Sequence, residues 1–361
     1  MSMLRGLRRW LPNCTAPAAC KARSGLWHRP QLAMERGFAL LLGLALVAGT
    51  ANGAELSKAP LGEERGPGGQ ITFDVLTFNT FLLPVLPDSQ DVRAPLMADH
   101  LKGYDVVLLQ EAYSNRHREM VLDGLADDYP YQSEVLGRDR WLAQDGGVVI
   151  LSKWPIEDQR ERLFGPLCQS HDCWADKGVL YARINKLGRR FHVFATHLQS
   201  RSAGRAIRQQ QMAIIRDIID DLDLPEDEPV LIGGDLNTDR FTNEATGAFT
   251  RMMGILEAVL PGPPRGRGYE PTRSGRLIDY VLYEKNHLQP IEAFNAVKPV
   301  VSNGLPLSDH SAVHGHFVFG HAREPVQARE TRDLKALETW WCMGFSSNGF
   351  PPTFSSCPLD R

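Results

Sequence analysis

The sequence predicts an α/β fold of two packed sheets flanked by helices, and three observations carry that expectation. Between residues 71 and 319, eight short apolar runs of β-forming residues alternate with polar turns. Helical periodicity is confined to a few segments, and a chain with many strands and few helices favours stacked sheets over strict βαβ alternation. The third observation is chemical. Again and again an apolar run ends in a carboxylate, amide or imidazole side chain, the pattern expected when strand ends gather at one rim.

Taken in chain order, residues 1–54 read as an N-terminal extension and export signal. They carry seven Lys/Arg against one acid, and residues 38–48 form an apolar run too short to span a bilayer. Small residues suited to signal cleavage follow that run. Met34 makes the better start, so residues 1–33 read as dispensable. The mature chain is then expected to be secreted or periplasmic and to hold no transmembrane segment. Residues 55–70, rich in Gly, Pro and charge, read as a flexible leader. Strands are expected at 71–78, 105–109, 147–151, 178–184, 190–196, 229–232, 277–283 and 311–319. The clearest helix is 203–222, where Ile207, Met212, Ile214, Ile215, Ile218, Ile219 and Leu222 follow near-helical spacing; 91–101 and 115–125 are further helices. Residues 71–320 therefore read as the main folded domain. Residues 321–361 read as a charged helix followed by a disulfide-closed tail.

Composition narrows the function. With 43% hydrophobic and 23% charged residues the chain is ordinary globular protein, which excludes collagen-like, coiled-coil and disordered classes. The formal charge of −3 is uneven: discounting residues 1–54 leaves −9, an unfavourable balance for a nucleic-acid binder. Four cysteines remain after the signal. In an exported chain they suggest two disulfides, most simply Cys168–Cys173 and Cys342–Cys357, although four cysteines allow three pairings. A zinc site from Cys168, His171 and Cys173 is the competing reading, without a convincing fourth ligand.

The strand-end residues are Asn79, Glu111, His197, Asp235, Asn237, Asp279, Asp309 and His310. Together they suit metal-assisted phosphodiester hydrolysis. Asn79 and Glu111 are hard oxygen ligands of the kind Mg²⁺ takes while leaving room for water and phosphate. Asp279 and His310 make a carboxylate-held base, and His197 a donor to phosphate oxygen as charge builds. Asp235 and Asn237 are expected to need a turn at Gly233-Gly234 to reach the site together. His314 and His316 share strand parity with His310, which invites a metal-cluster reading, and read first as a polar strand face. Lys153 and Lys177 read as exposed lysines.

These segments resemble the endonuclease/exonuclease/phosphatase superfamily. The carriers are LTFNT (76–80), LLQEAY (108–113), GGVVILSKWPI (146–156), THLQ (196–199), GGDLN (233–237), IDYVLY (278–283) and LSDH (307–310), which occur in family order. The resemblance implies a four-layered α-β-β-α sandwich of the deoxyribonuclease-I-like kind. Within it the chain looks most like secreted bacterial neutral sphingomyelinases, on DKGVLYAR (176–183) after Cys173 and on the THLQS form of the histidine motif. That likeness implies Asn79 and Glu111 at one divalent ion (Mg²⁺, or another such as Mn²⁺ or Co²⁺), and Asp235, Asn237 and His310 around a second ion or the phosphate. It also implies His197 on phosphate or leaving group, Asp279 orienting His310, and Asp309 supporting a metal or aligning its neighbour. The implied activity is hydrolysis of sphingomyelin, or a related choline phospholipid at a membrane surface, to ceramide and phosphocholine. A secreted nuclease of the same fold is the alternative, and a phosphomonoesterase or a non-catalytic binding module stand behind it. One departure is visible: membrane-penetrating members carry an exposed aromatic hairpin before the SDH motif, and residues 291–306 here hold one aromatic, Phe294. Haemolytic insertion is not expected, and the Trp340 and Trp341 tail is the candidate for interface contact.

Overall fold

The computed structural model describes residues 69–320, apart from 85–88 and 142. The predicted signal, leader, charged helix and tail, with Cys342–Cys357, lie outside the described residues. In chain order the elements are β1 (Ile71–Asn79), α1 (Gln90–Met97), β2 (Val106–Gln110), α2 (Asn115–Asp123), β3 (Tyr131–Gln132), β4 (Val149–Ser152) and β5 (Ile156–Leu163). Next come β6 (Gly178–Lys186), β7 (Arg189–His197), α3 (Arg205–Asp221), β8 (Val230–Asp235), α4 (Asn243–Thr246), α5 (Ala248–Ile255) and β9 (Ala258–Val259). The described chain closes with β10 (Asp279–Glu284), β11 (Glu292–Lys298), β12 (Val301–Ser302), β13 (Leu305–Pro306) and β14 (Ala312–Phe319).

Two six-stranded mixed sheets result, ordered β11-β14-β1-β2-β4-β3 and β5-β6-β7-β8-β10-β9. Three apolar layers hold them. Between the sheets pack Phe73, Val75, Leu108, Phe191, Val193, Leu231, Val281 and Phe317. On the outer face of the first sheet, Leu76, Phe78, Val107 and Leu109 meet Met97 and Val121 of α1 and α2. On the outer face of the second, Phe194, Ile232 and Tyr280 meet Met212, Ile215 and Ile219 of α3 and Met252 of α5. Strands buried on both faces must be apolar on both, which is why the central runs read as continuous hydrophobic stretches. The four-layered α-β-β-α sandwich is thus observed.

All eight predicted strands and three predicted helices are present; most ends shift by a residue or two, while β8 runs three residues further than expected and α1 stops four residues sooner. Strands β5 and β11, helices α4 and α5 and the two-residue strands β3, β9, β12 and β13 escape the sequence reading. β5, IEDQRERL, is a half-exposed edge strand whose charges blunt edge-to-edge pairing, so it has no apolar run to announce it.

Candidate functional site

The topology explains why the strand-end residues meet. Each sheet holds one parallel pair: β1 beside β2, and β7 beside β8. Parallel neighbours finish at the same rim, so Asn79 pairs with Gln110, the residue before Glu111, and His197 pairs with Asp235. β10 runs antiparallel to β8 and starts where β8 stops, placing Asp279 opposite Asp235. β14 likewise runs antiparallel to β1, and His310 lies two residues before it. Ser308 locks that loop: its hydroxyl donates to the Asn79 carbonyl at 2.6 Å and accepts the His310 amide at 3.1 Å.

Gly233 and Gly234 do not form the turn expected of them. Both lie inside β8, which runs on to Asp235. They are glycines because neighbours come too close. A Cβ on Gly233 would sit 2.5 Å from Leu108 Cδ1, and one on Gly234 (φ +144°) would sit 1.9 Å from the Thr196 carbonyl oxygen. The chain departs only after the strand, at Asn237 (φ +47°). Glu111 also adopts a left-handed backbone (φ +51°), strain of the kind that accumulates at functional sites.

The side chains converge. Asn79 Nδ2 donates to Asp235 Oδ2 at 3.2 Å, while its Oδ1 accepts the Phe81 amide and retains a second lone pair. His197 Nε2 lies 3.7 Å from Glu111 Oε1 and 3.6 Å from Asp235 Oδ2. His310 Nδ1 sits 2.9 Å from Asp279 Oδ2, and its Nε2 lies 3.8 Å from Asp235 Oδ2. Asn237 Nδ2 donates to the Leu198 carbonyl, and its backbone amide donates to Asp235 Oδ1 at 2.9 Å. Asp309 is the outlier: exposed, it turns Oδ2 to Arg273, while its Oδ1 stands 4.0 Å from His310 Nε2.

Charge is crowded here. Burial, and then repulsion from Asp279, push the Asp235 carboxyl up to about 7. Burial likewise raises Glu111, against the hydrogen bond from Asn79. Burial and the neighbouring Lys177 cation hold His197 well below its ordinary value, so it is neutral. Burial works against a charged His310, yet Asp279, Asp235 and Asp309 together push it up to about 9.

Glu111, His197 and Asp235 form one group able to hold a metal ion, and Asp235, Asp279 and His310 a second. Two buried ring nitrogens, His197 Nδ1 and His310 Nε2, have no hydrogen-bond partner. Hard oxygen donors, crowded acid charge and unspent imidazole nitrogens together fit a divalent cation and a phosphate.

The sequence reading missed two supports. Lys177 is buried, not exposed: its side chain is 3% accessible, and Nζ reaches the Leu198 carbonyl at 3.2 Å and Asp172 at 3.5 Å. Asp172 accepts the Ser200 amide at 2.7 Å and so steadies the chain just after His197. It sits in the loop closed by the Cys168–Cys173 disulfide, which rules out the zinc alternative for those cysteines. An exposed lysine and a buried one read alike in sequence, because the distinction lies in what packs over them. Lys153 is exposed as expected. Beside His310 opens a cleft of about 310 Å³, lined by Arg273, Val301, Pro306, Ser308 and Asp309. Its wall includes the β12–β13 ribbon, which turns at Asn303-Gly304 and carries exposed Val301 and Leu305 but no aromatic. Phe294 stacks on His316 at 4.7 Å within the first sheet.

Residues 76–310 match the endonuclease/exonuclease/phosphatase family. Sphingomyelinase C 2 of Leptospira interrogans is 33% identical over 300 residues, covering 72% of this chain and 48% of that protein. A sphingomyelinase C of Bacillus cereus is 30% identical over 295 residues, covering 71% and 88%. The chain thus spans about half the length of the Leptospira relatives it matches. Among solved structures, sphingomyelinase C from Streptomyces griseocarneus aligns with a TM-score of 0.58 at 29% identity, over 68% of this chain and 99% of that one. A Staphylococcus aureus beta toxin with bound magnesium ions aligns with a TM-score of 0.59 at 27% identity, over 69% and 99%.

Proposed function

Because the chain belongs to the endonuclease/exonuclease/phosphatase family, we propose that it is a divalent-cation-dependent phosphodiesterase cleaving sphingomyelin, or a related choline phospholipid, to ceramide and phosphocholine. The observation that carries this reading is the convergence of Asn79, Glu111, His197 and Asp235 with the Asp279–His310 pair at one rim. The likeness to sphingomyelinases C of two bacterial genera supports the choline-lipid substrate over others available to the family.

Asn79, Glu111 and Asp235 are the oxygen donors that would hold the cation, with Asn237 and His310 facing a second ion or the phosphate. A bound Mg²⁺, Mn²⁺ or Co²⁺ supplies positive charge to the phosphate and lowers the proton affinity of the groups around it. His310, oriented through Nδ1 by Asp279, takes the proton from the attacking water at Nε2. Water's oxygen bonds to phosphorus and the bond from phosphorus to the ceramide oxygen breaks; that oxygen takes a proton from solvent water, and His310 returns its proton to solvent. Neutral His197 donates a hydrogen bond to a phosphate oxygen as its charge grows. Asp309, paired with Arg273 and 4.0 Å from His310 Nε2, would align the loop before β14 or support the metal.

A membrane surface suits the remaining exposed residues. Trp141 and Trp174 are 95% and 67% exposed, and Trp174 shares its loop with Asp172, next to the site. Tryptophan favours the headgroup zone of a bilayer. We read the protein as exported, in keeping with the Cys168–Cys173 disulfide and the apolar run at 38–48. Among the described residues no helix is long and apolar enough to cross a membrane.

The test incubates purified protein with sphingomyelin, phosphatidylcholine and plasmid DNA, each with Mg²⁺ or with EDTA. Release of phosphocholine that EDTA abolishes is the expected result. Nicking of DNA without lipid cleavage would replace this reading with the nuclease of the same fold, against which the net charge of −9 outside residues 1–54 argues.

A further inference from the structure

We propose that Asp74, His314 and His316 form a separate metal site, for a borderline transition ion such as Zn²⁺, that clamps β1 to β14. Three ligand atoms converge there: His314 Nε2 lies 2.6 Å and His316 Nδ1 2.8 Å from the same oxygen, Asp74 Oδ1. The sheet builds this arrangement. His314 and His316 are two apart on β14 and so share a face, and the register sets Asp74 directly opposite His316.

The surroundings hold the rings in place. Phe294 of β11, opposite His316 in register, stacks on its ring at 4.7 Å, and Tyr104 meets the His314 ring edge-on at 5.0 Å. The backbone amide of Asp74 is tied to Asp105 Oδ2 at 2.8 Å. The three side chains are 17–26% exposed, so an ion can enter from solvent.

The donor set chooses the ion. Two imidazoles and one carboxylate suit Zn²⁺ and its neighbours, whereas Mg²⁺ demands oxygen. Bonds of about 2.0–2.1 Å in a tetrahedron set ligand atoms about 3.3 Å apart, so the observed contacts need to open by about 0.5–0.7 Å, within reach of side-chain rotation. The ion replaces the two ring protons that now point at Oδ1, and three protein ligands leave one position for water. Asp74 lies five residues up β1 from Asn79, about 17 Å along the strand, so the site is distinct from the phosphodiester centre.

The test uses the full chain, saturated with Mg²⁺, given Zn²⁺ and freed of excess by gel filtration, with bound zinc counted by atomic absorption. The wild-type protein is expected to retain one zinc per chain more than the H314Q/H316Q variant. Wild type should also gain about 5–10 °C in melting temperature at about a hundredfold excess of zinc over its dissociation constant, and the variant should not. Equal zinc retention by the two proteins would overturn the proposal and leave the triad an ion-paired strand contact. So would a thermal shift that Mg²⁺ alone reproduces. Should circular dichroism show the double variant unfolded, D74N is read in its place by the same two measurements. Zinc count and melting temperature decide the matter, so the outcome is independent of the phosphodiesterase reading.

Discussion

Asp279→Asn probes the proposed reaction most directly. Both carboxylate oxygens of Asp279 face His310 Nδ1, at 2.9 and 3.1 Å, and both residues are buried. Asparagine keeps the shape and removes the charge, so β10 packs as before while the imidazole loses its anionic partner. Burial opposes a charged His310, and Asp279 is the foremost group holding its titration up at about 9, so the variant's imidazole should titrate lower. Asp235, raised to about 7 by burial and then by Asp279, should fall as well. An amide can also donate to Nδ1, which strands the remaining proton on Nε2, the nitrogen that must accept one. Loss of general-base help is expected to lower kcat/KM by about 10²–10⁴-fold, or about 3–5 kcal/mol of transition-state stabilisation. The assay is phosphocholine release from sphingomyelin vesicles with Mg²⁺, recorded from about pH 5 to 10 beside a circular dichroism control. A folded variant with the wild-type rate and an unmoved pH profile would refute the assignment of Asp279 and His310 to proton transfer.

Four further outcomes are expected. Asp235 titrates above the ordinary carboxylate value, so the folded state binds more protons than the unfolded one, and EDTA-treated protein should lose stability as pH rises from about 4 to about 7. Mg²⁺ competes with that proton, and calorimetric titration should show affinity rising about tenfold per pH unit up to about 7; a flat profile would contradict it. Gly234→Ala forces a Cβ into the Thr196 carbonyl and should destabilise the fold by about 3 kcal/mol or more, visible as a melting temperature several degrees lower; an unchanged melting point would undo the close-approach argument. Replacing Trp141 and Trp174 together with Ala should lower hydrolysis of vesicle lipid about tenfold, equivalent to about 1.4 kcal/mol of interfacial binding, while a water-soluble phosphodiester is cleaved at the wild-type rate. Equal rates on vesicles would remove the two tryptophans from membrane contact.

Much of this protein is written locally. The central strands announce themselves because burial on both faces demands apolar runs such as 106–109 and 230–232, and the polar residue ending each run is visible beside them. Asn79, Glu111, His197, Asp235, Asp279 and His310 were therefore legible one by one, as was the amphipathic stripe of α3. The edge strand β5 was not, because a charged strand in solvent leaves no hydrophobic trace. Tertiary structure alone decided what depends on register and on the approach of distant segments. It buried Lys177 beneath the Leu198 carbonyl, and it paired Asp309 with Arg273 while leaving it 4.0 Å from His310 Nε2. It also kept Gly233 and Gly234 within β8 where a turn was expected, and it aimed His314 and His316 at one oxygen of Asp74. A side chain's chemistry belongs to its own position, whereas its partner, its burial and its proton affinity are set by residues up to 242 positions away, which only the folded chain brings alongside.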